Sequence, residues 1–169
     1  MRMYHQEISM RDRWQWVPIL LSLVIAMCLS VMHWSGFMAN FHVQWVWLVV
    51  MFWSIQPVTR VNVLPIWCVG LYLDFLEGSV LGLNALLCVI ILFVGVNYRK
   101  MIGSLPLWLQ VIFVFFVSIV LHSIVFCVFS CLGDDTSILE IGGQSVLNAC
   151  AWPIVVWALK SYVFDKGRY

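Results

Sequence analysis

The chain has 169 residues, of which 63% are hydrophobic and only 10% charged, and its formal net charge is +1. An average soluble domain carries about 25% charged residues, so this composition cannot clothe a water-facing surface. It excludes a soluble enzyme and a disordered tail protein, and it lacks the basic patch with which a nucleic-acid binder neutralises phosphates.

What remains is an integral membrane protein. A bilayer core about 30 Å thick selects apolar stretches of about 20 residues, because only a helix satisfies its own backbone hydrogen bonds in hydrocarbon. In chain order, the apolar runs predict helices over 17–34, 39–55, 61–76, 80–96, 105–132 and 145–164. The expected fold is an all-α membrane protein, a six-transmembrane-helix bundle forming a single domain over residues 1–169. None of its tails or connections is large enough to fold alone.

The first run follows a basic stretch, as in a signal peptide. The residues after it, Val31-Met32-His33-Trp34, show no small-x-small cleavage pattern, so the run is expected to stay as the first span. The second and third runs are short and are joined by Gln56-Pro57-Val58-Thr59-Arg60. A re-entrant hairpin that dips in without crossing is the competing reading, and it would put Arg60 on the same side as Asp74 and Glu77.

Six crossings sort the charges cleanly. With alternating spans, one side receives all nine basic residues: Arg2, Arg11, Arg13, Arg60, Arg99, Lys100, Lys160, Lys166 and Arg168. The opposite side receives Asp74, Glu77, Asp134, Asp135 and Glu140, with no Lys or Arg. Basic flanks are retained in the cytoplasm, so both termini are expected to be cytoplasmic. Tryptophan favours the headgroup level. Trp14, Trp16, Trp34, Trp53 and Trp108 fall near predicted helix ends, whereas Trp47, Trp67, Trp152 and Trp157 lie deeper and are read as packing residues.

The six cysteines all lie within predicted helices, none in a C-x-x-C pair, and are read as buried thiols acting as small hydrophobes, without disulfides. His33 and His42 flank the first outer connection without further ligands at metal spacing. His122 lies deep in the fifth run, where an ionisable group is a candidate functional site, as in a proton relay. The alternative is a neutral imidazole bonded across helices or to a carbonyl one turn away.

The densest constellation is Gly70-x-x-x-Asp74-x-x-x-Gly78-x-x-x-Gly82, with Glu77, Ser79 and Asn84 beside it. A single helix through all four would leave two carboxylates in hydrocarbon, so the chain is expected to turn at Glu77-Gly78-Ser79. There Glu or Ser can cap the orphan N–H groups of the next helix. Two compatible readings follow: a capped hairpin at the outer interface, and a small-residue face on which a partner helix docks. On the docking reading, Asp74→Asn should be milder than Asp74→Lys. No nucleophile elbow, phosphate loop, zinc-protease motif or dinucleotide fingerprint is present, so no catalysis, metal or cofactor is expected.

Three segments carry a resemblance: Pro57-x-x-Arg60-Val61-Asn62-Val63, then Gly70 through Gly82, then Asn148-x-x-x-Trp152-Pro153. In this order, in a chain of this length with six apolar runs, the sequence resembles the MreD family of rod shape-determining proteins, of the Gram-negative type. The resemblance spans the first apolar run to the last, and its hairpin is the most specific part. It implies a multi-pass inner-membrane subunit of the cell-wall elongation machinery, with no enzymatic activity assigned. The implied partners are MreC, a single-span protein with a periplasmic domain, MreB filaments on the cytoplasmic face, RodA and penicillin-binding protein 2 in the same complex, and the lipid bilayer itself. The implied role is support of rod shape and regulation of peptidoglycan synthesis, and the implied fold is similar to the substrate-binding subunits of energy-coupling-factor transporters. Gly70, Asp74, Gly78, Gly82, Arg60, Asn62, Trp152 and Pro153 become the candidate docking or structural residues. The competing function is a vitamin-like ligand-binding subunit of a transporter, for which His122, Asn84 and Asn148 would have to converge on one pocket.

Overall fold

The structure is a computed structural model, and it describes residues 17–30, 43–56, 62–132 and 138–165. Among these residues are six helices and no strand: α1 (Val17–Ser30), α2 (Trp45–Ile55), α3 (Val63–Glu77), α4 (Leu83–Ser104), α5 (Leu107–Leu132) and α6 (Ile138–Asp165). Each overlaps one predicted run.

The boundaries differ where backbone chemistry overrides hydropathy. The fourth apolar run ends at Val96, but α4 continues through Asn97-Tyr98-Arg99-Lys100 to Ser104, because leaving hydrocarbon does not end a helix. It stops where Leu105 precedes Pro106, since a residue before proline is pushed out of the helical region. Leu105 is extended at ψ 144, and α5 begins immediately after Pro106. In the other direction, α6 starts at Ile138 rather than after the Gly142-Gly143 pair. A glycine costs about 1 kcal/mol of helix propensity, and the buried row Ser145, Asn148, Ala149 and Trp152 holds the turns that follow.

The centre of the molecule is α2. Every residue from Val46 to Ile55 is buried, and the helix packs against both α4 and α6. A bond from the Trp53 Nε1–H to Ser22 Oγ, 2.8 Å long, ties it to α1. On the α4 side, Gly95 lies against Ser54 so closely that a Cβ there would occupy the space of the Ser54 side chain. The hairpin α3–α4 and the hairpin α5–α6 flank this core.

In the first four turns of α5 the polar residues face inward. The buried residues of α5 are Gln110, Val114, Ser118, Leu121 and His122, a single stripe in which three of the five are polar. Its exposed residues include Trp108, Ile112, Phe116 and Val120. A helix that turns its polar residues inward and its apolar residues outward is adapted to lipid rather than water. Both α4 and α5 are long and apolar enough to cross a bilayer. These two spans and the apolar outer surface are the features that suit a chain to a bilayer.

The tryptophans correct the sequence reading. Trp47 and Trp152 are buried and Trp108 is exposed, as expected, but Trp53 is a core residue rather than an interfacial one. Trp67 and Trp157 face outward, the latter 76% exposed. Position along a span says nothing about which face a residue takes. Trp157 follows Trp152 by five residues, which at about 100° each brings it roughly 140° round the helix. The cysteines show the same effect: Cys88 is buried, whereas Cys28, Cys68, Cys127, Cys131 and Cys150 are exposed on helix surfaces, and all six are free.

Candidate functional site

The hairpin between α3 and α4 is organised by one carboxylate. Helix α3 ends at Gly78, whose left-handed backbone (φ 64°) directs its N–H to the Asp74 carbonyl; the Ser79 N–H reaches the same oxygen at 3.1 Å. This is the glycine-terminated helix end that satisfies orphan carbonyls. Four residues on, Gly82 is again positive (φ 94°), and α4 starts behind it. L-residues with side chains rarely adopt either conformation, so both glycines are demanded by the turn. Neither would meet another atom if it carried a Cβ.

The Asp74 side chain bridges the two helices. Oδ1 accepts from Ser79 Oγ and from the Asn84 N–H, both at 2.9 Å, and Oδ2 accepts from the Gly82 N–H at 2.8 Å. The residue that caps the next helix thus lies one turn before the last residue of α3. Glu77 instead accepts from the Asn84 side-chain amide at 3.0 Å. Two carboxylates therefore sit at the N-terminus of α4, where the macrodipole favours negative charge. The expectation that Glu77 or Ser79 supplies the cap is corrected: Asp74 does, and Ser79 supports it. With three donors on its two oxygens and 1% exposure, Asp74 is committed to the turn.

Close approach of the two helices rests on Gly70. A Cβ at this position would press on the Ala85 backbone, 2.7 Å from its nitrogen. The small-residue face is therefore used within the chain, between α3 and α4. Gly70 and Asp74 are buried, and what the hairpin turns outward is Tyr72, Phe75, Leu76, Val80 and Leu81. Of the other candidates, Asn62 occupies the position preceding α3, exposed and without a side-chain capping bond. Arg60 lies outside the described residues. Trp152 is buried in α6, and Pro153 beside it is exposed.

A second set of buried polar groups joins the remaining helices. Gln110 of α5 was not singled out from the sequence, where it reads as one polar residue in an apolar run. Its Nε2 donates to the Ile102 and Leu105 carbonyls, at 3.2 and 2.9 Å, closing the end of α4. Its Oε1 accepts from Trp152 Nε1 at 3.4 Å. The only signal in the sequence was its place one turn after Leu105-Pro106, where a helix end leaves carbonyls to satisfy. Asn148 accepts the Gln44 N–H at 2.9 Å through Oδ1, fastening the start of α2 to α6. His122 places Nδ1 2.8 Å from the Ser118 carbonyl one turn earlier, and its ring lies 5.1 Å from that of Trp47. That is the one-turn carbonyl contact of the structural reading. Asn84 is bound into the Asp74 turn, apart from His122 and Asn148 in the bonding network.

Comparisons with known proteins bear on the family of the chain. Residues 10–161 match the family described as rod shape-determining protein MreD. The curated Rod shape-determining protein MreD of Haemophilus influenzae is 26% identical over 145 residues, covering 83% of this chain and 87% of that protein. No solved structure matches the chain. A match spanning nearly all of the six helices, on a lipid-adapted fold whose most specific sequence element is a built and capped hairpin, places the chain in the MreD family of rod shape-determining proteins.

Proposed function

We propose that the chain is a non-catalytic, multi-pass inner-membrane subunit of the cell-wall elongation complex, supporting rod shape by holding partner helices against its lateral surface. The partner we assign to that surface is MreC, with RodA, penicillin-binding protein 2 and MreB in the same assembly. Membership of the family ties the chain to rod-shape determination. The observation that favours lateral docking is the outer face of the α3–α4 hairpin. Phe75 and Leu81 are 76% and 74% exposed while the turn between them is fixed by the Asp74 carboxylate. A rigid turn with exposed aromatic and aliphatic side chains is a preorganised surface for a second helix, where packing rather than hydrophobicity drives association.

A photoreactive amino acid placed singly at Tyr72, Phe75 and Leu81 in growing cells tests this. The expected result is an adduct with a single-span membrane protein from Phe75 and Leu81. Adducts confined to lipid at all three positions would refute docking at this face. A second reading, a small-ligand subunit like those of energy-coupling-factor transporters, draws on the buried Trp47 indole N–H and the Asn148 amide N–H. Neither finds an acceptor among the described residues. Purified protein carrying a stoichiometric small molecule would favour that reading over the first.

A further inference from the structure

We propose that the groove between the start of α5 and the second half of α6 holds one anionic phospholipid, its acyl chain on the apolar floor and its phosphate at Lys160 and Ser161. The groove has a volume of about 390 Å³ and is lined by Leu107, Pro153, Val156, Trp157, Lys160 and Ser161. Five of these lie on α6 at spacings of three, four, seven and eight from Pro153, which makes them one helical face. Over about 12 Å of helix that face changes from wholly apolar to a cation and a hydroxyl. A bilayer lipid has the same sequence of chemistry along its length: hydrocarbon, then a negative phosphate. Lys is a point-charge phosphate binder and the Ser hydroxyl a neutral donor, while the exposed Trp157 ring suits the interfacial level between the two zones. The groove opens on the lipid-facing side, since Leu107 and Trp157 are exposed on an apolar surface. The assignment rests on the membrane-embedded reading given above and, with the basic residues cytoplasmic, places the lipid in the inner leaflet.

The test is native mass spectrometry of the full-length chain in detergent with dioleoyl phosphatidylglycerol or dioleoyl phosphatidylethanolamine added. One phosphatidylglycerol should be retained in preference to phosphatidylethanolamine. Lys160→Glu should lower that retention by about fivefold or more, on the scale expected for one basic residue near an anionic headgroup. Lys160→Arg should preserve it. Lys100→Glu, at an exposed basic residue at the end of α4, should leave it unchanged. Leu107→Trp, which fills the floor from an exposed position, should also lower it. Equal losses from Lys100→Glu and Lys160→Glu would show a diffuse field and overturn the site. Full displacement by excess inorganic phosphate, or indifference to Leu107→Trp, would show a headgroup contact without a bound chain and overturn it as well. Retention that ignores Lys160→Glu would do the same. Because the readout is binding by purified protein, it is independent of any cell-shape phenotype or partner adduct.

Discussion

A single carboxylate does at the α3–α4 turn what several residues do at an ordinary helix junction. Because both oxygens of Asp74 accept, an amide in its place must set an NH₂ group against at least one backbone N–H, whichever way it is turned. Asp74→Asn is still expected to be milder than Asp74→Lys, but the amide does not preserve the bonding of the turn. Asp74→Asn should destabilise the protein by about 1–3 kcal/mol, the range for an unsatisfied buried polar group. Asp74→Lys should be worse, since it adds a positive charge at the positive end of α4. Thermal unfolding of the two variants in detergent checks both values; a midpoint unchanged by Asp74→Asn would mean that the turn is held elsewhere. The sequence made the importance of Asp74 legible through its spacing to three glycines. It did not show which helix the carboxylate serves, because the cap comes from across the turn rather than from the residue beside it. Gln110 was invisible for a related reason: its bonds go to carbonyls freed by Leu105-Pro106, and hydropathy sees only its polarity.

Helices in this molecule meet through small residues placed at close contacts. At Gly70 the obstacle is the Ala85 backbone, which cannot swing aside as a side chain can. Gly70→Ala should therefore force α3 and α4 apart and cost about 1–3 kcal/mol, the range for overpacking a close contact. If Gly70→Ala unfolds at the same denaturant concentration as the parent chain, the two helices are not in such close contact. The existence of all six helices could be read from apolar runs, since lipid imposes length and hydrophobicity on any span. Their faces could not. A lipid-exposed helix is apolar outside and close-packed inside, so the two-sided contrast that marks a water-soluble helix is nearly absent. That is why Trp53 was expected at an interface and Trp157 in the packing, the reverse of what is found.

At the scale of the whole chain, the arrangement of charge predicts that Arg60 and Tyr169 share the cytoplasmic compartment. Reporter fusions ending at each position should give the same cytoplasmic signal; opposite signals would remove the six-crossing topology and the inner-leaflet placement of the lipid with it. One further consequence belongs to α2, which is enclosed by α1, α4 and α6 and keeps no residue from Val46 to Ile55 for the bilayer. On the proposed multi-pass topology, synthesis delivers this segment well before α4 and α6 exist, so the nascent chain carries its future centre into the membrane with two walls missing. Any interruption downstream of Ser104 strands that centre beside lipid or chaperone, and the cell's membrane proteases then meet a substrate that the finished protein never presents.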